Sequence, residues 1–362
     1  MNRRGFRAVM KVAFLFLSAS FLLNTGLYTQ ERDKKIRPPE NGCYIGFFPG
    51  WGELEDEVDA EEIRGFEALS GKPVAISPFS NFWGEEYVSL DQLNEMAKYG
   101  AVPILRLMPW GEPYWEPYGF QPDYALQKII DGKFDGFLAR WADALITFGR
   151  PVMVDFAVEM NGDWFPWSGT FQGGGKKDGF GDPSLADGPE RYAAAYRHII
   201  DLFRKKGVKN ATYLFHPNFE SYPDKPWNDL FQYYPGDDYI DWVGISLYGE
   251  SETKYDWYGF EEAMEPVYNR LVRLFPKKPL MLAEWGAREW KDPSYKARFY
   301  KDALSLIETR YTGTKIAIVY HERWEEDRPD GIMDLRIDSS NDALKVYKEG
   351  IKSDYFIGFI EQ

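Results

Sequence analysis

The sequence predicts an α/β fold, a single (β/α)8 TIM barrel, and three observations carry that expectation. Eight short apolar runs recur along the chain, with amphipathic, helix-like stretches between them. The runs are nearly continuous rather than alternating, as parallel strands covered on both faces require. Beyond an N-terminal leader there remain roughly 330 residues, enough for one barrel of this kind.

In chain order the expected strands are Tyr44–Phe48, Pro73–Ser77, Val102–Met108, Val152–Val158, Ala211–Phe215, Trp242–Ser246, Leu280–Ala283 and Lys315–Tyr320. Helical spacing of apolar residues is clearest in Leu90–Ala97 and Arg191–Phe203, and Gly207 stands where a helix C-cap would fall. Strands alternating with helices in this way read as a barrel. A glycine-rich stretch from about Gly169 to Gly188 interrupts the alternation, and a loop of that length is usually functional or mobile. Neither an internal repeat nor a linker divides the chain.

Residues 1–30 have the order of a secretory signal peptide. Arg3, Arg4, Arg7 and Lys11 precede the apolar run Val12–Leu23, and small and polar residues follow up to Gln30. That run is short for a membrane span. The expected organisation is a leader over 1–30, or else a retained N-terminal anchor, and a catalytic barrel over 31–362. The mature domain is expected to be secreted or periplasmic, free of the membrane and monomeric. Cys43 is the single cysteine, so no internal disulfide exists and the argument for export rests on the leader alone.

A net charge of -14 argues against nucleic acid as a partner, since backbone binding needs clustered Lys and Arg. No G-x-G-x-x-G or Walker pattern supports nucleotide chemistry. There are three histidines, with no H-x-H or H-E-x-x-H spacing, so neither a metal nor a cofactor is expected.

Barrel active sites lie at the C-terminal ends of the strands. Trp51 follows the first expected strand, and Phe79 and Trp83 the second. The third contains Arg106 and leads to Trp110, Glu112 and Trp115. The fourth leads into Glu159-Met-Asn161-Gly-Asp-Trp164-Phe-Pro-Trp167. His216 and Asn218 follow the fifth, Tyr248 the sixth, Glu284 and Trp285 the seventh, and His321, Glu322 and Trp324 the eighth. Aromatic residues make up 17% of the chain, and their concentration at these ends suits pyranose rings, whose apolar faces stack on aromatic ones. Glu159 and Glu284 each come directly after an apolar run. Facing one another across the mouth, they would supply the protonated and ionised carboxyls, about 5–5.5 Å apart, that a retaining glycosidase uses. Asn161 and Asn218 are candidate readers of sugar hydroxyls. Arg106 is expected to ion-pair a site carboxylate or a core acid.

Glutamates at strands four and seven resemble the signature of clan A retaining glycosidases. Glu159–Trp167 looks like the acid/base motif of glycoside hydrolase family 26, mostly β-mannanases, and Ala283-Glu284-Trp-Gly286 looks like its nucleophile motif. Asp241–Tyr248 is similar to the family's sixth-strand segment, and Asp334–Ser340 to its C-terminal one. The resemblance implies Glu159 as general acid/base, Glu284 as nucleophile and Tyr248 as a hydrogen-bond partner of Glu284. From their strand-end positions, Trp51, Trp110, Trp164, Trp167, His216, Trp285 and Trp324 are candidate sugar contacts, with Trp285 or Trp324 flooring the central subsite, although some of the tryptophans are expected to pack under the loops as a second core. The implied partner is a β-linked polysaccharide, β-1,4-mannan first. β-1,3-Xylan and mixed-linkage β-glucan are alternatives within the family, and a non-catalytic glycan-binding barrel is a further one. One departure stands out: Val158 occupies the place before the acid/base where the family usually has His and clan relatives Asn.

Overall fold

Residues 34–361 are described in the computed structural model, apart from 115–118, 251–256, 290–291, 293 and 326–331. The leader and Trp115 lie outside the described residues.

Eight parallel strands close on themselves. They are β1 (Cys43–Phe48), β2 (Ile76–Phe82), β3 (Val102–Met108), β4 (Val152–Phe156), β5 (Ala211–Phe215), β6 (Trp242–Tyr248), β7 (Leu280–Gly286) and β8 (Thr314–Tyr320). Each pairs with the next, and β8 returns to β1 with Tyr44 opposite Ile316 and Phe48 opposite Tyr320. A hairpin of β9 (Arg323–Glu325) and β10 (Ile332–Asp334) follows β8, and β11 (Phe356–Ile357) runs parallel to β1.

Around the strands lie α1 (Ala60–Ser70), α2 (Leu90–Lys98), α3 (Leu126–Ile130), α4 (Asp135–Phe148), α5 (Asp187–Lys206), α6 (Phe260–Leu274), α7 (Tyr295–Thr309) and α8 (Asn341–Gly350). Local chemistry sets several ends. Asp59 and Ser340 cap α1 and α8 through their side chains. Gly207 closes α5 with φ 93°, a left-handed conformation that costs glycine little. The eight barrel strands are buried almost throughout, as their apolar runs require. No described helix is long and apolar enough to cross a membrane.

Four strands differ from the sequence expectation by two residues or more: β6 and β7 run on to Tyr248 and Gly286, and β2 and β4 differ for identifiable reasons. β2 begins at Ile76 and runs on through Ser77, Ser80 and Asn81, polar residues that hide a strand from an apolar-run reading. Here they are buried because they are partnered: Ser77 donates to the Phe47 carbonyl, and Asn81 accepts from the Trp141 indole at 2.9 Å. β4 stops at Phe156, two residues before its expected end. Beyond it Ala157 and Glu159 adopt φ 49° and 55°, which no strand accommodates.

The glycine-rich connection between β4 and α5 is tied down by its own backbone. Gly174 N–H bonds the Gly169 carbonyl at 2.8 Å, Gly188 N–H the Gly174 carbonyl at 3.0 Å, and Asp187 N–H the Lys176 carbonyl at 2.7 Å. Gly188 permits this closeness, since a Cβ there would lie 2.4 Å from the Gly169 carbonyl oxygen. Gly188→Ala should therefore force the loop off the start of α5 and destabilise the fold by about 1–3 kcal/mol. A lowered thermal midpoint tests this, and an unchanged one would show that the loop has room to move.

Candidate active site

The site grows from an interior polar layer. Ser80, Arg106 and Asp155 are register partners on β2, β3 and β4, so their side chains share one face of the sheet. Arg106 reaches Glu284 of β7 from that face, which makes it the barrel interior. Apolar neighbours on the same strands face the helices.

Glu284 is 6% exposed and held from two sides. Arg106 Nη2 lies 2.8 Å from its Oε1, and the Tyr248 hydroxyl donates to its Oε2 at 2.7 Å. Burial and the adjacent Glu284 charge push the Tyr248 phenol far above its usual range, so it is a neutral donor. Arg106 is buried, yet Glu284, Glu55 and Asp155 keep it cationic. The ladder is irregular on both sides of Glu284, with register shifts between Ile245 and Ser246 and between Leu282 and Trp285. Such irregularities re-aim side chains, and here they bring Ser246 opposite Glu284.

Glu159 sits on the strained turn after β4. Its N–H bonds the His216 carbonyl at 2.7 Å, and its Oε2 accepts from the Trp164 indole at 2.8 Å. Desolvation, and after it the charge of Glu284, raise its pKa to about 7, while Ser246, His216 and Trp164 pull the other way. The two carboxyls thus occupy different environments. Glu284 has a cation and a phenol to hold its charge, whereas Glu159 has hydrogen-bond donors and a negative neighbour.

Sequence reasoning placed Arg106, Glu159, Trp164, Tyr248 and Glu284, and the structure brings all five together. Trp324, on β9, is partly exposed beside Tyr320, at 5.8 Å between ring centroids.

Other expected sugar contacts are corrected by their burial. Trp51, Trp110, Trp167 and Trp285 are at most 2% exposed and offer no open face. Trp285 follows inward-facing Glu284, so alternation turns it outward, against Phe260, Tyr300 and Tyr347 of α6, α7 and α8. Trp51 donates to the Pro78 carbonyl at 2.7 Å. Trp167 stacks on Phe165, meets Trp110 edge-on and donates to the Val158 carbonyl at 2.7 Å, bracing the turn that carries Glu159.

Asn161 is fully buried. Its amide donates to Asn218 O, Glu220 O and Ser221 Oγ, and its carbonyl accepts from Asn218 N–H, so it ties two loops together and reads no hydroxyl. Asn218 is 2% exposed beside it, in a bridge to Ser246. His216, 1% exposed, lies between Asp155 and Ser246 rather than against substrate. The remaining histidines are separately engaged: His198 with Asp135, and His321 as acceptor from Ile337 N–H. Among the described residues no three His, Cys, Asp or Glu side chains converge as a metal site.

Three participants were missed. Glu55 shares Arg106 with Glu284, at 3.4 Å from the guanidinium, and it lies in an acidic loop with nothing to single it out. Asp155 is a charge inside an apolar strand run, which in itself signals a partnered interior group. Ser246 carries no sequence signal.

Fold and site together resemble the barrel glycoside hydrolases with paired carboxyls at strands four and seven. The profile of glycosyl hydrolase family 26 matches residues 122–289, a span that includes both glutamates. Endoglucanase H of Acetivibrio thermocellus is 28% identical over 314 residues, 86% of this chain and 30% of that protein. Mannan endo-1,4-beta-mannosidase A and B of Caldalkalibacillus mannanilyticus is 25% identical over 216 residues, 59% of this chain and 35% of that protein. The alignments thus take up about a third of the length of these relatives. Among solved structures, the YdhT protein from Bacillus subtilis superposes with a TM-score of 0.61 at 20% identity, covering 88% of this chain and 87% of that one, a likeness of fold.

Proposed function

We propose that this chain hydrolyses internal linkages of a β-glycan by double displacement. The observation that carries the reading is the opposed environment of the two carboxyls. Glu284, paired with Arg106 and Tyr248, attacks the anomeric carbon, while Glu159, with its pKa raised to about 7, protonates the departing oxygen. The C–O bond breaks and a glycosyl ester forms on Glu284. Glu159, now a carboxylate, takes a proton from water as that water attacks the ester, and the sugar leaves with its configuration retained. Trp164 positions Glu159, and Trp324 offers a stacking face. The reading extends to export through residues 1–30 and to action outside the cytoplasm as a monomer.

β-1,4-Mannan is the expected substrate from the motif resemblance. A β-glucan backbone is the second reading. The relative named as an endoglucanase aligns over 86% of the chain and the mannosidase over 59%. The buried Val158 also leaves no polar side chain immediately before Glu159. A panel of mannan, galactomannan, glucomannan, β-1,3-xylan and mixed-linkage β-glucan, with products sized by chromatography, separates these readings. Proton NMR of the first-formed reducing ends tests retention. Release of the inverted anomer, or no hydrolysis of any member, would overturn the mechanism.

Tyr248→Phe removes one donor from the nucleophile and keeps the ring. A hydrogen bond to a charged group contributes about 1.5–3 kcal/mol, so kcat/KM should fall roughly ten- to a hundredfold. Unchanged kinetics would mean that Arg106 alone orients Glu284.

A further inference from the structure

The two-carboxyl chemistry gives no task to Lys296, yet this lysine is fully buried, a costly place for a charge that nothing uses. It stands in the first turn of α7, and its ammonium makes three hydrogen bonds outside that helix. Nζ donates to the Asp334 carbonyl at 3.0 Å, to the Arg336 carbonyl at 2.7 Å and to Ser339 Oγ at 2.7 Å. Ser339 in turn donates to Glu289 Oε1 at 2.8 Å. Three acceptors thus meet the three hydrogens of the charged amine. Burial lowers its pKa to about 8, with Glu289 and Asp334 opposing that fall, so the ammonium form prevails at neutral pH.

What the ammonium grips is the base of the β9–β10 hairpin. Asp334 closes β10 opposite Arg323, and Met333 pairs with Trp324. One residue on, Leu335 N–H bonds the Glu322 carbonyl at 2.9 Å, and Ile337 N–H bonds His321 Nδ1 at 3.0 Å. Each strand of the hairpin has three residues, too few to hold a place unaided. Arg323, Glu325 and Ile332 are exposed, so support comes from the inner side and from the base. Met333, Leu335 and Ile337 are buried and press the segment onto the barrel. Apolar contact has no direction, whereas the three bonds from Lys296 do. They fix where β10 ends, and the ladder carries that position across to Trp324 on β9.

We propose that Lys296 is a positioning residue for substrate binding: by holding Asp334, Arg336 and Ser339 it sets the hairpin so that Trp324 presents its ring to the sugar chain. The role rests on the reading of Trp324 as a stacking face, although the geometry of the clamp does not. A lysine that served the fold alone would change stability when replaced and leave substrate affinity as it was. A lysine that acts through Trp324 changes affinity, and only while Trp324 is present.

The test is steady-state kinetics of the full chain on the polysaccharide it cleaves, for Lys296→Met, Trp324→Ala and the double variant. Trp324→Ala should raise KM about three- to tenfold, the size of one lost aromatic contact, with kcat within about twofold. Lys296→Met keeps an unbranched side chain and removes the ammonium, and it should raise KM in the same range with kcat equally spared. The double variant should show the KM of Trp324→Ala, because changes that act through one group do not add. An unchanged KM in Lys296→Met, whatever its thermal midpoint, overturns the proposal, and so do KM effects that multiply in the double variant. If Lys296→Met fails to fold, Ser339→Ala, which removes one acceptor and the link to Glu289, takes its place. Its KM should rise, and the rise should vanish in the Trp324→Ala background; no rise overturns the proposal. An unchanged KM in Trp324→Ala instead sinks the reading of the stacking face, and the proposal with it. Were no polysaccharide cleaved, retardation of the same variants in gels containing each polysaccharide would read the comparison as affinity.

Discussion

Glu284→Gln should reduce kcat/KM on the cleaved polysaccharide by at least about 10⁴-fold while the protein remains folded. Glutamine keeps the shape of the side chain and an acceptor for Tyr248, but it cannot form the glycosyl ester. The choice of glutamine over alanine follows from Arg106. Its side chain is 5% exposed and its nearest anion is Glu284 at 2.8 Å, with Glu55 more distant at 3.4 Å. Glu284→Ala would strip that cation of its better partner, and breaking a buried pair from one side costs about 3–5 kcal/mol where nothing else compensates. Glu55 and Asp155 compensate in part here, so a smaller loss is expected, visible as a lowered thermal midpoint. Measured together, the two variants separate chemistry from stability. Loss of activity in alanine alone would assign Glu284 a structural role, and substantial turnover by the glutamine variant would remove it as nucleophile. The same substitution takes a negative charge away from Glu159, so the acid/base pKa should fall from its value of about 7.

Glu159→Ala should divide substrates by their leaving groups. On polysaccharide, whose alcohol needs a proton to depart, kcat/KM should drop about 10²–10⁴-fold. On an aryl glycoside with a good leaving group, ester formation should survive and water attack should become limiting, since no base remains. Azide, which needs no base, should then restore turnover and give a glycosyl azide of retained configuration. Equal losses on both substrates, without azide rescue, would show that Glu159 is not the acid/base. The native pH profile supplies the sign. Glu159 must be protonated to begin the reaction, and the protonated form prevails below its pKa. Activity as kcat/KM should therefore decline as pH rises through about 7. In Glu159→Gln that alkaline limb should disappear from whatever activity remains. A limb that persists would belong to another group.

How legible the site was depended on the kind of residue. Glu159 and Glu284 stood out because a carboxylate after an apolar strand is chemically conspicuous, and the barrel rule turned their order in sequence into a shared mouth. Tyr248 and Trp164 were found through motif resemblance, and each touches the expected carboxyl. The strand-end tryptophans could not be sorted one by one. A strand-end Trp that faces a sugar and one that faces a helix read alike in sequence, and the difference lies in one step of alternation, as Glu284 and Trp285 show. β2 was misplaced because Ser77, Ser80 and Asn81 look like loop residues until their partners on other elements are known. The reach of β4 was misjudged because nothing in Ala157 or Glu159 announces a positive φ.

By itself, the sequence determined the alternation of strands and helices, the closure into a barrel and the two carboxyls at strands four and seven. These follow from local apolar patterning and chain order, which one dimension records. Only the tertiary structure showed what surrounds each carboxyl. Both are glutamates after apolar runs, and what separates them is that Arg106 and Tyr248 arrive beside one while the charge of that one falls on the other. The same holds for Glu55, for the chain from Asp155 through His216 to Ser246, and for the burial of seven expected sugar contacts, Trp51, Trp110, Trp167, Trp285, Asn161, Asn218 and His216. Each depends on side chains from different strands meeting in the barrel interior, and those distances exist only once the sheet has closed.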